Sequence, residues 1–148
     1  MATDITKALY TAEARVTGGR AQGRGTTADG HLDLKLRMPK EMGGNGDGTN
    51  PEQLFAVGYA ACFGTVLSMI GKAKGLESDD AEIDARVGLV PNGDGTFRLS
   101  AELDVTLPSI EAGDRAAELV RAAHQVCPYS NATRGNIDVA LVVNGTPL

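Results

Sequence analysis

Hydrophobic and polar residues alternate in several short segments of this chain. Such alternation is typical of a half-buried β-strand, and it occurs over residues 9–16, 31–38, 81–90 and 97–107. A final apolar segment over residues 136–143 predicts one more strand. The sequence PNGDGT, which separates residues 81–90 from 97–107, predicts a hairpin turn.

A long apolar segment with helical boundaries follows the first strands. Asn50 can cap a helix, Pro51 suits the first helical position, and Glu52 suits the positive end of the helix dipole. No charged residue occurs between Glu52 and Lys72, and Gly75 predicts the end of the helix near residue 74.

A second helix is predicted over residues 111–126, where the apolar positions recur with a helical period. They form one stripe, Ala116, Leu119, Val120 and Ala123. The predicted element order is βββ-α-ββ-α-β, with residues 9–16 and 31–38 as two of the three strands before the first helix. It predicts an α+β fold with a mainly antiparallel sheet and a long buried central helix, in a single domain over residues 1–148.

Charge and composition limit the possible partners. The formal net charge of −5 argues against nucleic acid or an anionic membrane surface as a partner. The apolar helix could in principle span a membrane, but its glycine and polar residues and its strand-like neighbours favour a core helix. Residues 1–10 show no secretory signal, so the two cysteines are expected to be reduced or redox-active.

The two cysteines lie in different surroundings. Cys62 is in the middle of FAVGYAACFGTVLSMIG, where a thiol is usually a small buried hydrophobe. Cys127, in HQVCPYSN, lies where a helix ends, which is a poor place for an apolar filler. The residues leave two interpretations open: two inert thiols, or a working pair.

A working pair would divide its roles by electrostatics. The negative end of a helix dipole disfavours a thiolate at Cys127, whereas burial of Cys62 requires a nearby cation for ionisation. A guanidinium suits this better than an ammonium, because it is permanently charged and easier to desolvate. Arg20 in GGRAQG is a candidate, and Glu52 could orient it.

Two other classes of protein fit the same residues. Cys62, Cys127, His31 and His124 could form a metal site, although the C-x₂-C spacing of zinc knuckles is absent. A non-catalytic ligand-binding protein with two incidental thiols is the other alternative.

Three segments together resemble one known family. LYTAEARVTGGRAQG, GTNPEQLFAVGYAACF and HQVCPYSNATRGNIDV are similar, in this order, to segments of the organic hydroperoxide resistance (Ohr) family of the OsmC-like superfamily. The resemblance implies an OsmC-like fold, an intertwined homodimer in the cytoplasm, and a thiol peroxidase that reduces alkyl and fatty-acid hydroperoxides. It implies no cofactor or metal, and a lipoyl-type dithiol as reductant.

The resemblance also implies residue roles. Cys62 matches the peroxidatic cysteine and Cys127 the resolving cysteine, with a Cys62–Cys127 disulfide between turnovers. Arg20 and Glu52 match the residues that activate the thiolate. Phe55 and Phe63, with Leu54 and Met42, are candidates for an apolar substrate pocket.

Helix geometry adds one expectation about Glu52. It precedes Cys62 by ten residues, which corresponds to about 15 Å along a helix axis. If both residues serve one site, Glu52 is expected to come from a second subunit, with the central helices antiparallel about a two-fold axis.

Overall fold

Strands and helices alternate along the chain in a computed structural model that describes residues 7–148. The prediction about a secretory signal concerns residues 1–6 as well, and these lie outside the described residues. In chain order, the elements are β1 (Ala14–Thr17), β2 (Gln22–Thr27), β3 (Asp33–Arg37), a 3₁₀ helix (Lys40–Met42), α1 (Pro51–Ala73), β4 (Glu82–Pro91), β5 (Phe97–Thr106), α2 (Asp114–Val126), α3 (Pro128–Thr133), β6 (Val139–Val143) and β7 (Thr146–Pro147). The chain divides into two units, Met1–Pro51 and Glu52–Leu148.

The N-terminal unit is built on an antiparallel sheet of three strands in the order β1-β2-β3. A tight turn joins β1 to β2, with φ angles of +73° at Gly18 and +60° at Gly19. A Cβ atom on Gly18 would lie 2.2 Å from the carbonyl oxygen of Gln22, so only glycine fits this position. Arg20 lies in this turn and is half-buried.

The first strand is shorter than predicted. β1 begins at Ala14, which is paired with Thr27, the last residue of β2. The alternating residues before Ala14 have no strand residue opposite them, and the large side chains of Leu9 and Tyr10 are exposed. The pattern over residues 9–16 therefore predicts the type of element correctly but not its start.

The C-terminal unit contains a four-stranded sheet in the order β4-β5-β6-β7. The hairpin of β4 and β5 is confirmed, with ten paired positions from Glu82↔Thr106 to Pro91↔Phe97. β6 pairs with β5 in parallel, because α2 and α3 form the crossover that returns the chain to the same end of the sheet. The α+β class is confirmed, and β5–β6 is the parallel pair in an otherwise antiparallel arrangement.

The core of this unit lies between the sheet and the helices. The four residues of the predicted α2 stripe are completely buried. They belong to one cluster with the inward side chains of α1 and β5, which are Tyr59, Phe63, Val66, Leu67, Leu103 and Val105. The prediction of the α2 face is confirmed.

The predicted central helix is confirmed by α1, which ends close to the expected residue. Gly75 has a φ angle of +69°, and the Leu76 N–H donates a hydrogen bond to the Gly71 carbonyl, which is the usual glycine-terminated helix end. The Ser78 hydroxyl donates a 2.8 Å hydrogen bond to the Leu67 carbonyl. Gly71 lies directly beneath this hydroxyl, because a Cβ atom there would be 2.0 Å from the Ser78 Oγ.

In a single chain, α1 is buried on one face and exposed on the other. Among residues 7–148 it is also the one helix whose length and composition would allow it to cross a membrane. One face contributes Tyr59, Phe63 and Leu67 to the core cluster. The opposite face exposes Leu54, Val57 and Met69.

Two elements of the C-terminal unit were not predicted, and one begins late. Pro128 cannot continue α2, because it lacks an N–H group, but it suits the first position of α3. The N–H groups of Asn136 and Ile137 donate to the Thr133 carbonyl, so these residues extend the turn after α3, and β6 begins only at Val139. The two-residue strand β7 was also missed.

Candidate active site

The two cysteines lie next to each other in the C-terminal unit. Cys62 is in the middle of α1, and its Sγ is 3.5 Å from the Sγ of Cys127, whose S–H donates towards it. Both thiols are free. The two cysteines are 65 positions apart in the sequence, and the packing of α1 against α2 and α3 brings them together.

Cys127 is the single residue between α2 and α3. Its N–H donates a 2.8 Å hydrogen bond to the Ala123 carbonyl, and its carbonyl accepts a 2.9 Å hydrogen bond from Asn131. The side chain is completely buried. Cys127 therefore lies between the negative end of the α2 dipole and the positive end of the α3 dipole, whereas the sequence pattern indicated only the first.

Cys62 lies in surroundings that disfavour its ionisation. The side chain is half-buried, and burial raises the pKa of its thiol above the ordinary value of 9.0. A hydrogen bond from the Tyr129 backbone N–H acts in the opposite direction, and Cys127 raises the pKa further, because two thiolates 3.5 Å apart would repel each other. The net effect of these groups raises the pKa of Cys62 and so disfavours the thiolate, which a nearby positive charge would favour.

A buried hydrogen-bond network lies beside the two sulfurs and was not anticipated from the sequence. The Tyr59 Oη is 2.7 Å from the Ser130 Oγ, and the Ser130 Oγ is 2.8 Å from the His124 Nδ1. The Thr133 Oγ1 lies 3.4 Å from the same Tyr59 Oη and donates to the Ser130 carbonyl. A possible signal in the sequence is the pair of hydroxyl residues three positions apart in CPYSNAT, within a segment that packs against a tyrosine-containing apolar helix.

His124 is the ionisable member of this network. Its side chain is half-buried, and burial lowers the pKa of the imidazole below 6.5, with a further decrease from the nearby Arg134 guanidinium. Arg134 also donates a 2.6 Å hydrogen bond to the His124 carbonyl. A neutral imidazole whose Nδ1 accepts a hydrogen bond from the Ser130 hydroxyl is consistent with these surroundings.

Three aromatic rings pack against one another near the part of α1 that precedes Cys62. The ring centroids of Phe55, Tyr59 and Tyr129 are 5.7–5.9 Å apart in all three pairs. Gly58 makes this close packing possible, because a Cβ atom there would lie 2.9 Å from the Tyr129 Oη. The Tyr129 ring thus covers the α1 turn that precedes Cys62.

The apolar residues suggested for a substrate pocket have different positions. Phe63 is completely buried in the core, while Leu54 and Met42 are exposed. Phe55 lines a surface cavity of about 340 Å³, together with side chains that include Phe97 and Ile137.

The two residues predicted to activate the thiolate lie elsewhere in the chain. Glu52 is in the first turn of α1, and the helix is continuous from Pro51 to Ala73, so the expected separation of about 15 Å from Cys62 along the axis applies. Arg20 is in the β1–β2 turn of the N-terminal unit. The roles of both residues stay predictions.

The residues proposed for the alternative metal site have other partners. The His31 Nδ1 lies 3.0 Å from an Asp29 carboxylate oxygen at an exposed position, and the His124 Nδ1 contacts Ser130. Within residues 7–148, no group of three His, Cys, Asp or Glu side chains is arranged to hold a metal ion.

Comparison with known proteins identifies the family. The family model described as "OsmC-like protein" matches residues 44–142. The organic hydroperoxide resistance protein of Xanthomonas axonopodis pv. citri is 50% identical over 141 residues, which cover 93% of this chain and 96% of that protein. The crystal structure of the organic hydroperoxide resistance protein OhrB of Bacillus subtilis is 45% identical, with a TM-score of 0.82 and coverage of 92% of this chain and 99% of that one. A Legionella pneumophila organic hydroperoxide resistance protein has a TM-score of 0.87 at 44% identity, covering 93% and 98% of the two chains. The chain therefore belongs to the organic hydroperoxide resistance family of the OsmC-like proteins.

Proposed function

We propose that this protein is a cysteine-based peroxidase that reduces organic hydroperoxides to alcohols in the cytoplasm. The observation that carries the proposal is the 3.5 Å distance between the sulfur atoms of Cys62 and Cys127, one in a helix and the other between two helices. The names of the relatives support an organic hydroperoxide as the substrate. A pair of thiols at this distance can form a disulfide with only a small movement.

The first step oxidises Cys62. Its thiolate attacks the terminal oxygen of the hydroperoxide, the O–O bond breaks, and the other oxygen takes up a proton and leaves as the alcohol. Cys62 is then a sulfenic acid. Since the groups around Cys62 in its own unit raise the pKa of the thiol, we assign the required positive charge to Arg20, which also stabilises the departing oxygen.

The second step joins the two sulfurs. The Cys127 thiol attacks the Cys62 sulfenic acid, an S–S bond forms, and the hydroxyl group leaves with the thiol proton as water. The sulfurs must approach from 3.5 Å to about 2.05 Å. An external dithiol of the lipoyl type then reduces the disulfide by exchange and returns both cysteines to thiols.

A homodimer would complete the site. The exposed α1 face carries Leu54, Val57 and Met69 at helical spacing, and such a face is typical of a helix that packs against another helix. If two α1 helices pack antiparallel about a two-fold axis, the Glu52 of each subunit approaches the Cys62 of the other. Glu52 would then orient Arg20 through a charge-assisted hydrogen bond.

The deciding experiment follows the two thiols during one turnover. Reduced protein is mixed with one equivalent of a bulky alkyl hydroperoxide, and intact mass and free thiols are measured. Rapid loss of two hydrogens, with a Cys62–Cys127 linkage in the peptide map, is the expected result. Unchanged mass and thiol content would contradict the peroxidase and favour a non-catalytic ligand-binding protein, and stoichiometric bound zinc would favour the metal-binding alternative.

A mixing experiment tests the source of Glu52. Subunits that carry Glu52→Ala are mixed with subunits that carry Cys62→Ser, after each variant has been assayed alone. A heterodimer has an intact Cys62 in one subunit and an intact Glu52 in the other, so activity returns only if Glu52 acts across the interface. Failure to recover activity in a mixture with verified subunit exchange would refute this arrangement.

A further inference from the structure

Three residues of the buried network each lie three positions from one of the two cysteines in the sequence. Tyr59 lies three residues before Cys62 on α1, His124 lies three residues before Cys127 on α2, and Ser130 lies three residues after Cys127 on α3. A spacing of three residues corresponds to nearly one helical turn, so each polar group is a neighbour of a sulfur-bearing turn. The network therefore joins the three helical segments that hold the two sulfurs.

The hydrogen bonds of this network are complete and directional. When the neutral His124 carries its proton on Nε2, the Ser130 hydroxyl donates to the Nδ1 over 2.8 Å and the Tyr59 hydroxyl donates to the Ser130 Oγ over 2.7 Å. Tyr59 and Ser130 are completely buried. Each group would lose its partner if the helices moved apart, so the network resists separation of α1 from the α2–α3 junction.

We infer that Tyr59, Ser130 and His124 form a positioning network that holds Cys127 against Cys62 for disulfide formation. This inference rests on the proposed function. The 3.5 Å between the two sulfurs is within the range of a near-attack arrangement, and small displacements from such geometry reduce rates strongly. The network acts on the second chemical step, because attack on the hydroperoxide needs Cys62 but not the position of Cys127.

The Cys62 sulfenic acid can react in two competing ways, and the ratio of the two products can be measured. The Cys62 sulfenic acid either condenses with Cys127, with release of water, or reacts with a second hydroperoxide to give a sulfinic acid and another alcohol. The hydroperoxide concentration that gives equal amounts of sulfinic acid and disulfide is therefore proportional to the rate of condensation. A loss of folded protein lowers the total yield of both products and leaves this concentration unchanged.

The experiment compares Tyr59→Phe and His124→Leu with the wild-type protein over a series of hydroperoxide concentrations. Products are separated by mass after rapid quenching with acid. We expect both variants to reach equal product amounts at a hydroperoxide concentration about 10- to 100-fold lower than the wild-type protein, while the rate of the first oxidation stays within a factor of about two. His124→Asn keeps a polar atom close to the position of Nδ1 and should recover most of the wild-type value.

Two controls separate the outcomes. Tyr10→Phe removes the same hydroxyl group from an exposed ring and should behave as the wild-type protein. The inference would be overturned, and the proposed function left intact, by one result. The wild-type protein would form the disulfide, and Tyr59→Phe and His124→Leu would reach equal product amounts at the same hydroperoxide concentration as the wild-type protein. Absence of the disulfide in the wild-type protein would overturn the proposed function, and the inference with it.

Discussion

The replacement of Cys127 by serine gives the sharpest prediction about the sulfur pair. Serine is close to cysteine in size, so the buried position between α2 and α3 can keep its shape, but the internal nucleophile is lost. One thiol confined to a sphere of 3.5 Å radius has a local concentration of about 9 M, which exceeds an external reagent at about 1 mM by roughly 10⁴-fold. Correct orientation of the sulfurs increases this advantage further.

The assay uses a cyclic 1,3-diketone, which alkylates sulfenic acids irreversibly. Protein is oxidised with one equivalent of alkyl hydroperoxide in the presence of about 1 mM diketone, and the adduct on Cys62 is quantified by mass. In the wild-type protein we expect adduct on about one molecule in 10⁴ or fewer, because condensation with Cys127 is faster. In Cys127→Ser we expect nearly complete labelling of Cys62, and in Cys62→Ser none.

One result would refute the reasoning from distance. If the wild-type protein forms the disulfide and yet accumulates adduct on more than about one molecule in a hundred, the local concentration is at least 100-fold below the value calculated from the structure. The sulfurs would then have to separate after Cys62 is oxidised. Matched thermal unfolding curves for the variants show that the comparison concerns folded protein.

Three further predictions follow from the site and its supporting helices. Arg20→Met should raise the pKa of Cys62, measured as a shift of the thiolate absorbance titration to higher pH. Arg20→Lys should reverse part of this shift. An unchanged titration in both variants would show that Arg20 does not activate the thiol. Burial and a neighbouring guanidinium lower the pKa of His124 below 6.5 in the folded protein, so the imidazole of the unfolded chain binds a proton more tightly. The free energy of unfolding should be highest above pH 6.5 and should decrease as the pH falls below 6.5. His124→Asn should lack this decrease, which is separate from carboxylate effects below pH 3.8. Gly71→Ala should lower the free energy of unfolding in urea by about 1–3 kcal/mol, because its Cβ would clash with the Ser78 Oγ at 2.0 Å. Gly64→Ala, whose nearest contact is at 3.4 Å, should be neutral or stabilising by up to about 1 kcal/mol. Equal effects of the two substitutions would contradict this packing.

The hydrophobic pattern predicted the elements that bury one face and failed where hydrogen bonding decides. The stripe from Ala116 to Ala123 could be read directly, because a helix on a core repeats its apolar positions with its own period. The start of β1 could not, because it depends on where β2 ends, at Thr27. A strand needs a partner, and alternation within one segment contains no information about the partner's length.

The family resemblance paired Cys62 with Cys127, and the structure brings their sulfurs within 3.5 Å, but the hydrogen bonds beside them could not be anticipated. The contacts of Tyr59 with Ser130, and of Ser130 with His124, join residues up to 71 positions apart and depend on the α2–α3 junction. α3 itself was missed, because Pro128 was considered only as the end of one helix and not as the first residue of another.

In the proposed mechanism, the packing around the two sulfurs has opposite effects on the two chemical steps. Packing α1 against α2 and α3 brings Cys62 within 3.5 Å of Cys127, which favours the disulfide, but the same packing desolvates Cys62 and raises the pKa of its thiol, which disfavours attack on a hydroperoxide. A more exposed Cys62 would ionise more easily but would lie farther from Cys127. In the proposed mechanism, the Arg20 guanidinium would resolve this conflict, because it would stabilise the thiolate and leave the helix packing unchanged. Loss of the assembled state should therefore reduce activity more than it reduces the folding of the C-terminal unit. Because the proposed dimer uses Glu52 of the second subunit to orient Arg20, dilution that dissociates subunits should lower peroxidase activity before it changes the helical circular dichroism signal.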